Sequence, residues 1–136
     1  MPDIQMRILI ADDHALFRQG VAALLAGTDP RFQICAEARN GKEAVEKTLA
    51  LQPDIVLMDV SMPVMGGFDA TRNILQSSPA SRIIFLTTYN SPQLVAEARK
   101  AGAKGYVAKG DVSDVLIQAI DAVSRNQTYF EASPEN

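Results

Sequence analysis

Short apolar runs of strand length alternate five times with amphipathic stretches of helix length, and this rhythm constrains the fold more than any single residue does. Residues 7–11 are rich in Ile and Leu, as a strand covered on both faces is. Residues 15–26 follow with Leu16, Val21, Leu24 and Leu25 at helical spacing, and Gly27 and Pro30 are expected to end that helix. A second strand is expected over 33–38. Asn40 then stands as an N-cap with Glu43 at the reciprocal position of a capping box, and Pro53 closes the helix. Strands over 55–59, 82–87 and 105–108 are followed by helices near 68–76, over 92–101 and over 112–125. Pro92 suits a first helical turn and Gly102 a helix end.

Five such units predict an α/β domain with a parallel sheet and helices on both faces. Right-handed crossovers leave few topologies, and the doubly wound, flavodoxin-like (βα)5 arrangement with strand order 2-1-3-4-5 is the natural one. That order sets strands 1 and 3 side by side. Polar residues follow the apolar runs at corresponding places: Asp12 and Asp13 after RILIA, Asp59 after DIVLM, Thr87 after RIIFL, and Lys109 after GYVA. All would meet at the carboxyl edge of the sheet, where open α/β folds bind ligands.

Length and composition narrow the function. The chain has 136 residues, 47% of them hydrophobic, which suits one domain with a single core. The net charge of −3, with no dense basic run, argues against nucleic-acid binding by this segment. No apolar run approaches the roughly 20 residues that span a membrane. The start, MPDIQM, carries an acid and does not read as a signal peptide, so a cytoplasmic location is expected. The single cysteine, Cys35, excludes an internal disulfide, and its neighbours suggest a small strand residue rather than a redox thiol.

Three close carboxylates repel one another unless one is protonated or a cation neutralises them. Magnesium suits such a set, because it takes one or two carboxylates and completes its octahedron with water, carbonyl and phosphate oxygens. One acid is then free as a nucleophile, and Asp59, at the end of a central strand, is the best placed. Lys109 and Thr87 could hold oxygens of a transferred phosphoryl group. Each residue alone has an ordinary alternative. Asp13 could simply cap a helix, Asp59 could be a turn residue, Thr87 a strand end, and Lys109 a solvated lysine. Together they are harder to dismiss.

At these residues the chain resembles the receiver domain of two-component response regulators. The matching pieces are ILIADDH, VLMDVSMPVMGG, IIFLTTYN and AGAKGYVAKG, in order, over residues 5–126. The stretch ADDHALFRQG and the pair Lys109-Gly110 resemble the NarL/FixJ (LuxR-type) branch. The resemblance implies that Asp59 is the phosphoacceptor for a sensor histidine kinase. It implies that Asp13 and Asp59 ligate Mg2+ with their side chains, the Ser61 backbone carbonyl adds a ligand, and Asp12 acts mainly through metal-bound water, with Mn2+ as a substitute. Thr87 and Lys109 would contact the phosphoryl group, and Tyr106 falls at the family's aromatic switch position. Ser61 and Tyr89 occupy positions that tune dephosphorylation. His14 is read as a helix-start residue beside the acids. Catalysis would be limited to self-phosphorylation from small donors and slow hydrolysis. The receiver would occupy 1–126, with 127–136 the start of a linker or tail. The resemblance further implies an output domain, typically helix-turn-helix, that would lie outside this chain, and a homodimer formed on phosphorylation.

Two rival readings differ in class. A phosphatase of the haloacid dehalogenase type would need a second acid two residues beyond the nucleophile, where this chain has Ser61. A binding module that is never phosphorylated would have no use for the complete set of acids, Thr87 and Lys109.

Overall fold

The computed structural model describes residues 5–89 and 91–130. The strands are β1 (Met6–Ala11), β2 (Phe32–Ala38), β3 (Ile55–Asp59), β4 (Ile83–Thr87), β5 (Gly105–Ala108) and β6 (Tyr129–Phe130). The helices are α1 (Ala15–Thr28), α2 (Gly41–Leu51), α3 (Gly67–Ser77), α4 (Pro92–Ala101) and α5 (Val112–Ser124). All pairings are parallel, in the order β2-β1-β3-β4-β5-β6.

The expected order 2-1-3-4-5 is therefore present, with one correction: the sheet has six strands instead of five. Part of the expected tail, Tyr129–Phe130, pairs with Gly105 and Tyr106 on the outer side of β5. Tyr129 packs against the core on one face of the sheet and Phe130 against the core on the other. The rest of that tail, 131–136, lies outside the described residues.

Two apolar layers hold the domain. On one face, Ile8, Ile10, Ile55, Leu57, Ile84 and Leu86 pack against Val21 and Leu25 of α1 and Leu116, Ile120 and Val123 of α5. On the other, Leu9, Val56, Met58, Ile83 and Phe85 meet Ala44 of α2, Ala70 and Ile74 of α3 and Ala98 of α4. The central strands β3 and β4 are buried at every residue, which is why both read as unbroken apolar runs. Cys35 packs half-buried on the α2–α4 side as an ordinary strand residue.

Local chemistry explains most element ends. Helix α1 runs through Gly27 to Thr28 instead of stopping at 26. The residue before a proline avoids the helical region, and Asp29, ahead of Pro30, is extended at φ −154° and ψ 123°. Asn40 caps α2 by accepting the Glu43 N–H at 2.9 Å. The Glu43 carboxylate, however, accepts the N–H of Arg39 instead of that of Asn40, so the reciprocal bond of the expected capping box is displaced by one residue. In α4, Pro92 occupies the first turn, Ser91 accepts the Leu94 N–H, and Gly102 takes the left-handed C-terminal position at φ 98°.

Candidate functional site

The site lies where the connections from β1 and β3 diverge. Ala11 and Met58 are register partners, so the next residues, Asp12 and Asp59, sit level on adjacent strands. Asp59 ends β3, Thr87 ends β4, and Lys109 opens a single 3-10 turn between β5 and α5.

Asp12 is wholly buried. Its Oδ1 accepts the His14 backbone N–H at 2.8 Å, and its Oδ2 lies 2.7 Å from the Lys109 ammonium. That second approach is charge against charge, because no well-directed hydrogen bond reaches the Oδ2 atom. Lys109 also lies 3.4 Å from an Asp59 oxygen, and its ammonium stands 4.6 Å from the centre of the Phe17 ring. One lysine thus serves two buried acids.

Asp59 is 4% exposed, and its other oxygen accepts a long hydrogen bond from the Ser61 N–H at 3.4 Å. Its carboxyl is pushed up to about 6, by burial first and then by the Asp12 charge, while Lys109 and the Ser61 N–H pull the other way. This acid is held charged against resistance.

Asp13 projects outward and does not cap α1. His14 occupies the cap position, without a side-chain capping bond. The His14 Nδ1 lies 3.2 Å from oxygens of both Asp12 and Asp13. Ligand atoms of Asp12, Asp13, His14 and Asp59 all fall within 4.8 Å of one another, a spread that one divalent cation could bridge. The buried Asp12 oxygen without a directed donor fits the same conclusion.

Thr87 is nearly buried, and its hydroxyl accepts the Tyr89 N–H at 3.1 Å. The Tyr106 hydroxyl donates to the Tyr89 carbonyl at 2.7 Å. Tyr106 is 1% exposed, and burial raises its phenol above the ordinary range. The Thr87 side chain and the Ser91 backbone, both close to the phenol, pull the other way, so Tyr106 meets Thr87 directly as well as through the backbone of Tyr89.

Three supporting residues escaped the sequence reading. Arg18 donates to the Asp12 backbone carbonyl at 2.6 Å and to Glu37 at 2.7 Å, which clamps the β1 end. Its place four residues beyond His14, one turn into α1, was the available clue. Gly67 opens α3 against the Asp59 carbonyl, where a Cβ would collide with that oxygen. Val64 holds φ 70° in a turn closed by a Met65 N–H bond to the Pro63 carbonyl at 2.7 Å. A β-branched residue in that region is strained.

The family model described as "Response regulator receiver domain" matches residues 8–121. The chain belongs to the response regulator receiver domain family. It is 37% identical to the transcriptional regulatory protein DegU of Brevibacillus brevis, over 93% of this chain and 53% of that protein. It is 42% identical to the transcriptional regulatory protein LnrK of Bacillus subtilis (strain 168), over 87% of this chain and 53% of that protein. The chain thus spans about half the length of these relatives. Among solved structures, a LuxR-family two-component response regulator from Aurantimonas sp. SI85-9A1 superposes with a TM-score of 0.87 at 36% identity, covering 92% of this chain and 89% of that one. A LuxR-family DNA-binding response regulator from Staphylococcus aureus gives 0.81 at 26% identity, covering 88% and 98%. Among the described residues, no helix is long and apolar enough to cross a membrane.

Proposed function

We propose that Asp59 accepts a phosphoryl group from the phosphohistidine of a sensor histidine kinase, and that the resulting charge shifts the surface around Thr87 and Tyr106. The observation that carries this reading is the buried, charge-stressed Asp59 beside a shared Lys109. In the transfer, the N–P bond of the donor breaks as an Asp59 Oδ–P bond forms, and the imidazole leaves with a proton. Lys109 would hold one equatorial oxygen of the migrating group. The Thr87 hydroxyl would exchange its Tyr89 partner for another.

Asp13, Asp59 and the Ser61 backbone carbonyl would ligate Mg2+, with Asp12 acting through a bound water and Mn2+ as a substitute. The bound ion would neutralise carboxylate and phosphoryl charge. The adduct adds charge and acceptor oxygens where Asp59 had one charge, so the populations of two surface arrangements would change. In this reading the receiver unit is 1–126, and 127–136 begins a connecting segment whose first residues return to the sheet. A transcription-regulating output domain, a cytoplasmic location and a homodimer formed on phosphorylation complete it. Chemistry by this chain would be confined to self-phosphorylation from small donors and slow self-hydrolysis.

Intact mass after incubation with Mg2+ and acetyl phosphate tests the reading. A single phosphoryl adduct that requires Mg2+ and is absent from Asp59→Asn is expected. An adduct that persists in the variant would show the acceptor to be another residue.

A further inference from the structure

The outer edge of β5 is closed by a segment of the same chain. Asn126 turns the chain in the left-handed region at φ 65°, and its side chain accepts from Arg82 at 2.7 Å. The Gln127 N–H then bonds the Ala122 carbonyl at 3.0 Å, and the Tyr129 N–H bonds the Lys104 carbonyl at 2.9 Å. Gly105 admits this approach, since a Cβ there would stand 3.3 Å from the Tyr129 carbonyl oxygen and closer still to Ile84. Phe130 falls opposite Tyr106 in register and joins the same apolar cluster. The Arg99 guanidinium of α4 stands 4.1 Å from the centre of the Phe130 ring.

These contacts connect residues 127–130 to the candidate site by short steps. The Thr87 hydroxyl holds the Tyr89 N–H, the Tyr89 carbonyl holds the Tyr106 hydroxyl, and the Tyr106 strand position pairs with Phe130. A two-residue strand has few bonds of its own, so its attachment depends on how Tyr106 and α4 are placed.

We propose that residues 127–130 form a detachable clip on β5, held by Phe130 while Tyr106 is buried and Thr87 is bound to Tyr89, and loosened when a phosphoryl-like group occupies Asp59. This rests on the phosphoacceptor reading of Asp59. The clip leaves the β5 edge closed to other strands in the resting state. Linkage requires the reverse effect: with the clip open the chain binds the phosphoryl-like group more tightly than with it closed, by the same factor by which that group shifts the clip towards opening, and a weakened clip gains up to that factor.

The probe is beryllofluoride with Mg2+, applied to the whole chain. Amide hydrogen exchange would follow residues 127–130, and calorimetric titration would give the beryllofluoride affinity of the parent, Phe130→Ala and Arg99→Met. Exchange in the clip is expected to rise about threefold or more on binding, and both variants are expected to bind beryllofluoride about threefold tighter than the parent. Arg99 is exposed, so its variant keeps the test open if Phe130→Ala folds poorly. A purely structural role for Phe130 would lower unfolding stability and leave the affinity of the folded domain unchanged. Binding with unchanged exchange in 127–130, or with variant affinities equal to or weaker than the parent's, overturns the clip and leaves the Asp59 reading standing. Failure of the folded parent to bind beryllofluoride overturns both.

Discussion

Replacing Asp59 by Asn should stabilise the metal-free domain at neutral pH, although it removes the group at the centre of the site. The Asp59 carboxyl rises from an ordinary 3.8 to about 6, mainly through burial and the adjacent Asp12 charge. The folded state therefore holds the Asp59 proton more tightly than the unfolded chain does. Stability contributed by this group is greatest below about pH 4, falls as pH rises towards 6, and stays low above it. The rise from 3.8 to about 6 corresponds to about 3 kcal/mol of cost above pH 6. Asn removes the charge and retains an oxygen that can accept the Ser61 N–H, while Lys109 keeps its closer partner, Asp12. The 3.4 Å attraction between Lys109 and Asp59 is lost, which reduces the gain. A net stabilisation of roughly 1–2 kcal/mol, or about 4–8 °C in Tm, is expected at neutral pH in chelator. Urea unfolding of both proteins between about pH 4 and pH 7, with chelator and with excess Mg2+, measures it. The difference should shrink towards pH 4, where Asp59 is protonated, and should shrink again in Mg2+, which favours the charged parent. A variant that is less stable than the parent at every pH, or a difference that ignores both pH and Mg2+, would refute the reasoning.

Further expectations concern the supports of the site. Lys109→Met should raise the Asp59 carboxyl further above about 6, because Lys109 is one of the groups holding it down; carboxyl-carbon NMR titration would detect this, and an unchanged value would count against the shared ion pair. Val64→Asn should add about 0.5–1 kcal/mol, since Asn tolerates the left-handed region that Val64 is forced into at φ 70°; equal or lower stability in urea would show that the Val64 turn is not strained. Gly67→Ala should cost about 2–4 kcal/mol and lower the yield of phosphoryl adduct, because its methyl would meet the backbone oxygen of Asp59, the proposed acceptor; near-parent stability would show that α3 can withdraw freely.

Much of the architecture was legible because the information is local. β3, α4 and β5 begin and end where apolar runs, Pro92 and Gly102 place them. The acids, Thr87 and Lys109 could be assigned to one edge because a parallel sheet sends every strand end the same way. The missing pieces depend on partners distant in sequence. Two aromatics, Tyr129 and Phe130, do not make a strand by propensity; the open β5 edge and the Arg99 guanidinium make them one. Of the two expected stops, Gly27 and Pro30, only the proline acts: the helix passes through Gly27 and ends at Thr28, ahead of the backbone restriction on Asp29. Arg18 lies inside the amphipathic stretch 15–26, and only the tertiary fold turns it back onto the Asp12 carbonyl.

The charge balance of the pocket links stability to function. Asp12, Asp13 and Asp59 bring three negative charges when ionised, and Lys109 returns one positive charge, so a formal −2 remains with His14 neutral. That remainder equals the charge of one divalent cation. Buried, unneutralised charge is costly, and the raised Asp59 carboxyl is the local sign of that cost. A domain selected only for stability would replace one of these acids, as the Asn variant is expected to demonstrate. Keeping them retains a site whose energy falls when a cation enters. In the proposed function the same site would change again as the single charge of Asp59 became a phosphoryl dianion facing Lys109 and Thr87. The Thr87 hydroxyl and the Tyr106 phenol are held by the two ends of one residue's backbone, Tyr89. A charge change that draws on the Thr87 hydroxyl would therefore act on the contact that keeps Tyr106 buried, and only the difference in its interaction with the two arrangements would be available to move the ring.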